Sequence, residues 1–324
     1  MPEILSTNVL HPEAAAMLER VGDLRFASSY DPETLLREGL EADLIIVRAP
    51  LPAALFERQT RLRAAIRHGA GLDMVPMEAA TAAGVLVANT PGANARTVAE
   101  FVFFAAMTLL RRFRTIDRDL RAEGWNAARR HTAITGDLEG RTLGIVGFGN
   151  IGRQVHAIAR HGYGLDVLIH SRSRRDLPAD AGFVGLGELA ARADILVLAC
   201  PLTEETHGLV DASLLGLMKP DTLVINIARG PVVDDAAMLA ALEEGRIGGA
   251  ALDVFASQPL AADHPYLGFD NVLVTPHMSG ITEGSMRRMG IAAAEEAARI
   301  LRGELPLNFC NPQALEAHRR RFGA

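Results

Sequence analysis

The stretch Thr142-Leu-Gly-Ile-Val146-Gly147-Phe-Gly149-Asn150-Ile151-Gly152 decides how this chain is read. A strand-forming run leads directly into glycines spaced two and three apart, and a helix-forming segment toward Arg160 follows them. In that strand–turn–helix context Gly147 permits a tight turn, Gly149 lets the backbone approach a pyrophosphate, and Gly152 lets the helix pack on the strand. Asn150 and Ile151 open the helix, where backbone N–H groups face an anion. The expectation is a dinucleotide site. The alternative is a glycine-rich turn with no ligand.

About 20 residues beyond such a loop, an NAD site places an Asp or Glu on the ribose 2′-hydroxyl. Here the second strand, read over 166–169, is followed by His170-Ser171-Arg172-Ser173-Arg174-Arg175, and no carboxylate comes before Asp176. Guanidinium forks with hydroxyls from Ser171 and Ser173 suit a 2′-phosphate, which a carboxylate would repel. NADP is therefore expected, with NAD as the alternative cofactor; a solvated basic turn is the remaining reading.

Further strands are expected at 194–199, 222–227, 249–253 and 272–275. Arg229, Asp253 and His277 lie at or just beyond the last three. In an open α/β sheet ligands bind outside the carboxyl ends of the strands, so these residues can meet at one edge. Taken singly, each reads better as a hydrogen-bonded loop residue. Before residue 95, apolar runs at 43–47, 62–68 and 85–88 alternate with helical stretches such as 51–58, the pattern of a parallel sheet. A long helix is expected from Thr97 to Arg114, then a charged surface excursion over 115–140 that holds the one tryptophan, Trp125. Asp234 and Gly245 bracket a helix over 235–244. A long alanine-rich helix is expected over 283–301.

Length and composition agree with an enzyme of two domains: 324 residues, 49% of them hydrophobic. A net charge of −6 argues against nucleic acid or an anionic membrane as partner. Of 33 basic residues one is lysine, Lys219, and Pro220 follows it, so there is no Gly-Lys-Ser/Thr phosphate loop. None of Tyr30, Tyr163 and Tyr266 stands four before it, which removes the Tyr-x-x-x-Lys pair. Cys200 and Cys310 are too far apart for a disulfide framework or a zinc motif, so no metal is expected and a reducing cytoplasm is. The longest strongly apolar run, 101–110, is half of the roughly 20 residues a membrane helix needs, and no targeting segment is expected.

Seven blocks in order give the chain a specific resemblance: Arg67-His-Gly-Ala70-Gly71-Leu-Asp73; Asn89-Thr-Pro-Gly-Ala-Asn94 with Val98-Ala-Glu100; Gly147 to Gly152; Cys200-Pro201-Leu-Thr-Glu-Glu-Thr206; Asn226-Ile227-Ala228-Arg229-Gly230; Ala251-Leu-Asp253-Val-Phe255; and Thr275-Pro-His277. Over nearly its whole length the sequence resembles the D-isomer-specific 2-hydroxyacid dehydrogenases. The resemblance implies two doubly wound parallel-sheet α/β domains: a flavodoxin-like substrate domain at 1–99 plus 282–324, and a Rossmann cofactor domain at 100–281. It implies that Arg229 binds the carboxylate and carbonyl of a small 2-keto acid, that His277 is the acid/base, and that the N–H groups of Ala70 and Gly71 hold the carboxylate. Asp253 would hold the nicotinamide carboxamide. Thr97, Cys200, Pro201, Thr206, Ile227, Ala228, Ser279 and Gly280 would line the cofactor, and Arg48, with Leu51, would shape the substrate pocket.

The Ser-Arg-Ser-Arg turn resembles NADPH-linked glyoxylate and hydroxypyruvate reductases, and the family implies a homodimer formed through 101–140. One position departs from the pattern. Where the family commonly has Glu beside the histidine, this chain has Gln258. A neutral amide orients His277 without raising its pKa by charge pairing. Formate dehydrogenases, similar in this region, also carry Gln there, so formate oxidation is an alternative. A non-catalytic dinucleotide sensor on the same fold is another.

Overall fold

Runs such as Leu44-Ile-Ile-Val47 and Ile195-Leu-Val-Leu198 are buried along their whole length. That is what strands of a parallel sheet covered on both faces require, because crossover helices leave neither face to water. The computed structural model describes residues 1–58, 61–174 and 176–323. It separates them into two units: Met1–Asn94 with the segment from Ile281 onward, and Ala95–Gly280. The sequence reading had placed the crossings after residues 99 and 281.

The first unit holds a five-stranded parallel sheet of β1 (Glu3–Ser6), β2 (Asp23–Phe26), β3 (Leu44–Val47), β4 (Ala64–Arg67) and β5 (Leu86–Ala88), in the order β2-β1-β3-β4-β5. This is the flavodoxin-like order. The helix Glu283–Leu301 returns to this unit, where Ala293, Ala294, Ala297 and Ile300 pack with Ile4, Leu44 and Ile66. Small side chains let that helix lie close to the sheet.

The second unit holds seven parallel strands: β6 (Thr142–Val146), β7 (Asp166–His170), β8 (Gly182–Phe183), β9 (Ile195–Leu198), β10 (Leu223–Asn226), β11 (Gly249–Leu252) and β12 (Val272–Val274). Their order is β12-β11-β10-β9-β6-β7-β8, the Rossmann order extended by one strand. The direction of winding reverses between β6 and β9, which puts the glycine loop after β6 at the topological switch point. Register then aligns the carboxyl ends: Val146 pairs with Leu198, Leu198 with Asn226, Asn226 with Leu252, and Leu252 with Val274. The loops carrying Cys200, Arg229, Asp253 and His277 therefore leave the sheet along one edge.

Two expectations are corrected. The helix expected over 97–114 spans Ala95–Leu110 and stops, because Arg112 turns left-handed at φ 49°. Beyond it the expected charged excursion contains the helices Phe113–Glu123 and Trp125–Arg129. Neither Gly nor Pro marks the break, so nothing local in the sequence announces it. The strands β1, β2 and β8 also went unread, since Glu3-Ile-Leu-Ser6, Asp23-Leu-Arg-Phe26 and Gly182-Phe183 form no unbroken apolar run. Among the described residues no helix is long and apolar enough to cross a membrane.

Candidate active site

The glycine loop is built by close approach. Gly147 sits at φ 93°, and a Cβ on it would lie 2.8 Å from the Ala199 carbonyl oxygen; one on Gly152 would lie 2.4 Å from that of Gly147. The chain itself thus explains these two glycines. Gly149 differs, because a Cβ there would meet nothing within 4 Å. The helix Asn150–Ala157 starts at Gly149 with no side chain capping its N–H groups, whereas Asp211 and Asp234 cap other helices of this unit at 2.8 and 3.0 Å. Open space before uncapped N–H donors is the cradle an anionic group needs, and these residues fit a dinucleotide pyrophosphate.

Beside the loop lies a cavity of about 490 Å³, lined by residues of all three neighbouring loops: Gly147 and Gly149, Ser171 to Ser173, and Cys200, Pro201 and Thr206. Ser171 Oγ donates to the Ser173 carbonyl at 2.6 Å, which fixes the turn after β7. Arg172 lines the cavity. Arg174 does not; its guanidinium lies 4.3 Å over the Phe183 ring on β8. Arg175 lies outside the described residues. Arg153, which sequence reasoning passed over, lines the cavity, stacks on Phe148 at 4.9 Å and donates to the Asp176 carbonyl at 2.8 Å. Its signal was a basic residue in the first turn after the glycines. Thr206 Oγ1 donates to the Pro201 carbonyl at 2.7 Å and accepts from the Thr203 N–H at 2.8 Å. Burial pushes the Cys200 thiol up, so it stays protonated and is a wall rather than a nucleophile.

At the end of β10 the side chain of Asn226 folds the next turn, accepting from the Ala228 N–H and donating to the Arg229 carbonyl, each at 3.0 Å. Gly230 follows, and a Cβ on it would stand 1.9 Å from the Phe255 carbonyl carbon. Only a residue without a side chain lets the Arg229 segment lie directly against the backbone leading to Gln258. Ile227 and Ala228 are buried behind Arg229, whose Nη1 donates to the Ala228 carbonyl at 2.7 Å.

Asp253, 1% exposed, ends β11 and ties down the loop after β12. Its Oδ1 accepts from Thr275 Oγ1 and the Met278 N–H, both at 2.7 Å, and its Oδ2 from the Ser279 N–H at 2.9 Å. His277, inside that loop, is left-handed at φ 53°, a conformation that costs a non-glycine residue about 1 kcal/mol. Its Nδ1 is 3.1 Å from Gln258 Oε1, while Gln258 Nε2 donates to the Phe255 carbonyl at 3.4 Å. An amide oxygen only accepts, so Nδ1 carries the hydrogen and, in the neutral ring, the lone pair is on Nε2. Arg229, Asp253, Gln258, His277 and Ser279 thus stand on neighbouring loops. Thr97 is buried in the first turn of the helix Ala95–Leu110, and Gly280 ends the unit.

In the first unit Arg67 shapes the loop after β4 by donating to the Val47 carbonyl at 3.1 Å, the Gly71 carbonyl at 3.1 Å and the His68 carbonyl. Asn89 Nδ2 donates to the Ala70 carbonyl at 2.7 Å, and the Thr90 N–H to that of Gly69 at 3.0 Å. With the carbonyls so engaged, the N–H groups of Ala70 and Gly71 donate to no described residue. Arg48 follows β3; its guanidinium donates to the Val9 carbonyl and lies 3.7 Å from Met286 Sδ. His68, buried at 3% exposure, is pushed down to about 4, first by burial and then by the Arg48 charge. Its Nε2 has no hydrogen-bond partner among the described residues. Among the described residues no cluster of three or more His, Cys, Asp or Glu could hold a metal ion.

A Rossmann sheet with an anion cradle at its switch point, and a histidine and an arginine farther along the same edge, belongs to the nicotinamide-dinucleotide-dependent oxidoreductases. Comparison narrows the class. The family model described as D-isomer specific 2-hydroxyacid dehydrogenase, NAD binding domain, matches residues 103–279. The chain is 34% identical to a glyoxylate reductase of Aeropyrum pernix over 99% of both chains. It is 32% identical to a glyoxylate/hydroxypyruvate reductase B of Salmonella agona over 97% of this chain and 99% of that one. A solved NADPH-dependent glyoxylate/hydroxypyruvate reductase of Sinorhizobium meliloti, in complex with NADP and malonate, superimposes with a TM-score of 0.84 at 26% identity, covering 97% of each chain. This chain belongs to the D-isomer-specific 2-hydroxyacid dehydrogenases, NAD(P)-dependent oxidoreductases acting on the CH–OH group of donors.

Proposed function

We propose that this protein is an NADPH-preferring reductase of glyoxylate or hydroxypyruvate, with His277 as acid/base. The observation that carries the reading is the His277–Gln258 pair beside the Arg229 segment, which orients the imidazole on a turn held by a buried carboxylate. The named activities of the relatives in Aeropyrum pernix and Salmonella agona support the substrate. The NADP bound by the Sinorhizobium meliloti neighbour supports the cofactor.

When bound, the reduced dinucleotide supplies the hydride. His277 Nε2 gives a proton to the keto oxygen during reduction and takes it back during oxidation. Arg229 draws negative charge onto that oxygen and binds a carboxylate. In the first unit, taken by itself, the Ala70 and Gly71 N–H groups are donors suited to a carboxylate, and Arg48 is a substrate-pocket residue. Asp253 keeps acceptor capacity on Oδ2 for the nicotinamide carboxamide while it anchors the His277 turn. Thr97, Ile227, Ala228, Ser279 and Gly280 wall the cofactor. Ser171, Arg172, Ser173 and Arg174 make the seat of the 2′-phosphate, Arg172 lining the cavity and Arg174 packed on the Phe183 ring.

A homodimer completes the proposal, because Phe104, Phe113, Trp125 and Ile134 on the 95–134 helices are large, apolar and exposed. A reducing cytoplasm suits its two free cysteines. The test is a panel: NADPH and NADH against glyoxylate, hydroxypyruvate, pyruvate and phenylpyruvate, with formate and NADP⁺ in the other direction. Turnover of glyoxylate or hydroxypyruvate with a lower KM for NADPH is expected. A clear preference for NADH, or formate oxidation as the only activity, overturns the reading.

A further inference from the structure

The cavity beside the glycine loop holds a balance of charge that the arginines after β7 do not by themselves suggest. Arg172 reaches it from the loop after β7 and Glu205 from the loop after β9. The other two oppositely charged side chains in its wall satisfy each other: Arg153 Nη2 is 3.7 Å from Asp176 Oδ2, and its Nη1 is bonded to the Asp176 carbonyl. Arg174 is occupied with the Phe183 ring. This leaves Arg172 and Glu205, among the described residues, as the lining cation and carboxylate that no close ion pair engages. Glu205 rides on a turn already knitted by Thr206. The Thr203 hydroxyl and, more weakly, the Arg172 charge hold its carboxyl below the usual carboxylate range, so it is ionised at neutral pH.

We propose that Glu205 is a cofactor-selecting residue: its carboxylate accepts from the ribose hydroxyl of NADH and competes with the 2′-phosphate of NADPH for Arg172. The proposal rests on the reading of Ser171 to Arg174 as the seat of the adenosine ribose. A dinucleotide site lacking a carboxylate at the end of its second strand lacks the charged acceptor for the 2′-hydroxyl there, and Glu205 supplies one from a different loop. A 2′-phosphate entering the same cavity brings a charge of about −2 to within a Debye length of the Glu205 carboxylate, which repels it while Arg172 attracts it. The pair thereby gives the cavity a use for both cofactors and moderates its preference for the phosphorylated one.

Calorimetric dissociation constants for NADPH and NADH, measured without substrate on the full chain, test this directly. Glu205→Gln is expected to tighten NADPH and weaken NADH, each by about threefold, as befits an exposed charge, with the NADPH gain shrinking at high salt. Glu204→Gln, one residue away and outside the cavity lining, should move neither. Arg172→Gln should weaken NADPH about tenfold or more. If Arg172→Gln weakens NADPH but Glu205→Gln leaves both affinities unchanged, or shifts both in the same direction, the proposal falls and the arginine seat stands. If Arg172→Gln leaves NADPH binding unchanged, the seat falls and the proposal with it.

Discussion

Gln258 is the residue whose chemistry most changes what the site can do. Its oxygen fixes the tautomer of His277 as a carboxylate would, but adds no charge to favour the imidazolium. Glu in its place would hold the His277 proton to higher pH, so Gln258→Glu should move the alkaline limb of kcat/KM for keto-acid reduction upward by about a pH unit. An unmoved profile would mean that the pair has no part in proton transfer. His68 supplies a second pH effect. It protonates near pH 4 in the fold, against about 6.5 in the unfolded chain, so between those values the unfolded state binds more protons. Stability should therefore fall by up to about 3 kcal/mol as pH drops from 6.5 to 4, and change little above that on this account. Denaturant midpoints followed over this range should decline less steeply in His68→Gln; equal slopes would show that His68 is not the sensor. The histidine at 277 and the amide at 258 can be read straight from the sequence. The three donors on Asp253 cannot, because they come from a loop 22 to 26 positions away that only the register of β11 and β12 brings near.

At the scale of elements, the strands that carry the edge were legible because burial on both faces writes them as unbroken apolar runs, and glycine spacing marked the turn after β6. What escaped were features with no local signature. The break at Arg112 is one, the two-residue strand β8 that gives Arg174 its ring is another, and the contact of Gly230 with the Phe255 backbone is a third. That last contact makes a prediction. Gly230→Ala must push two loops apart, so thermal unfolding should show a loss of about 1–3 kcal/mol and kcat/KM should drop tenfold or more as Arg229 shifts. Unaltered stability and rate would show that the two backbones have room the structure does not display.

Across the whole molecule, a first unit that the second interrupts in sequence was foreshadowed by the return of an alanine-rich helix at 283–301 after the last strand of the second unit. The proposed dimer rests on surface character: Phe113 at 60% and Trp125 at 66% exposure are costly to leave in water. Sedimentation equilibrium should find a dimer that Phe113→Asp with Trp125→Asp converts to monomer; a native monomer would refute the pairing. The central claim, that this chain reduces a small 2-keto acid by proton transfer from His277, is tested most directly by steady-state NADPH oxidation with glyoxylate and hydroxypyruvate. The wild-type chain and His277→Asn are to be compared, since Asn tolerates the left-handed backbone at 277. The account predicts turnover by the wild type, and a kcat lowered 10²- to 10⁴-fold in the variant with NADPH affinity retained. Equal rates in the two proteins, or no turnover of either keto acid, would contradict it.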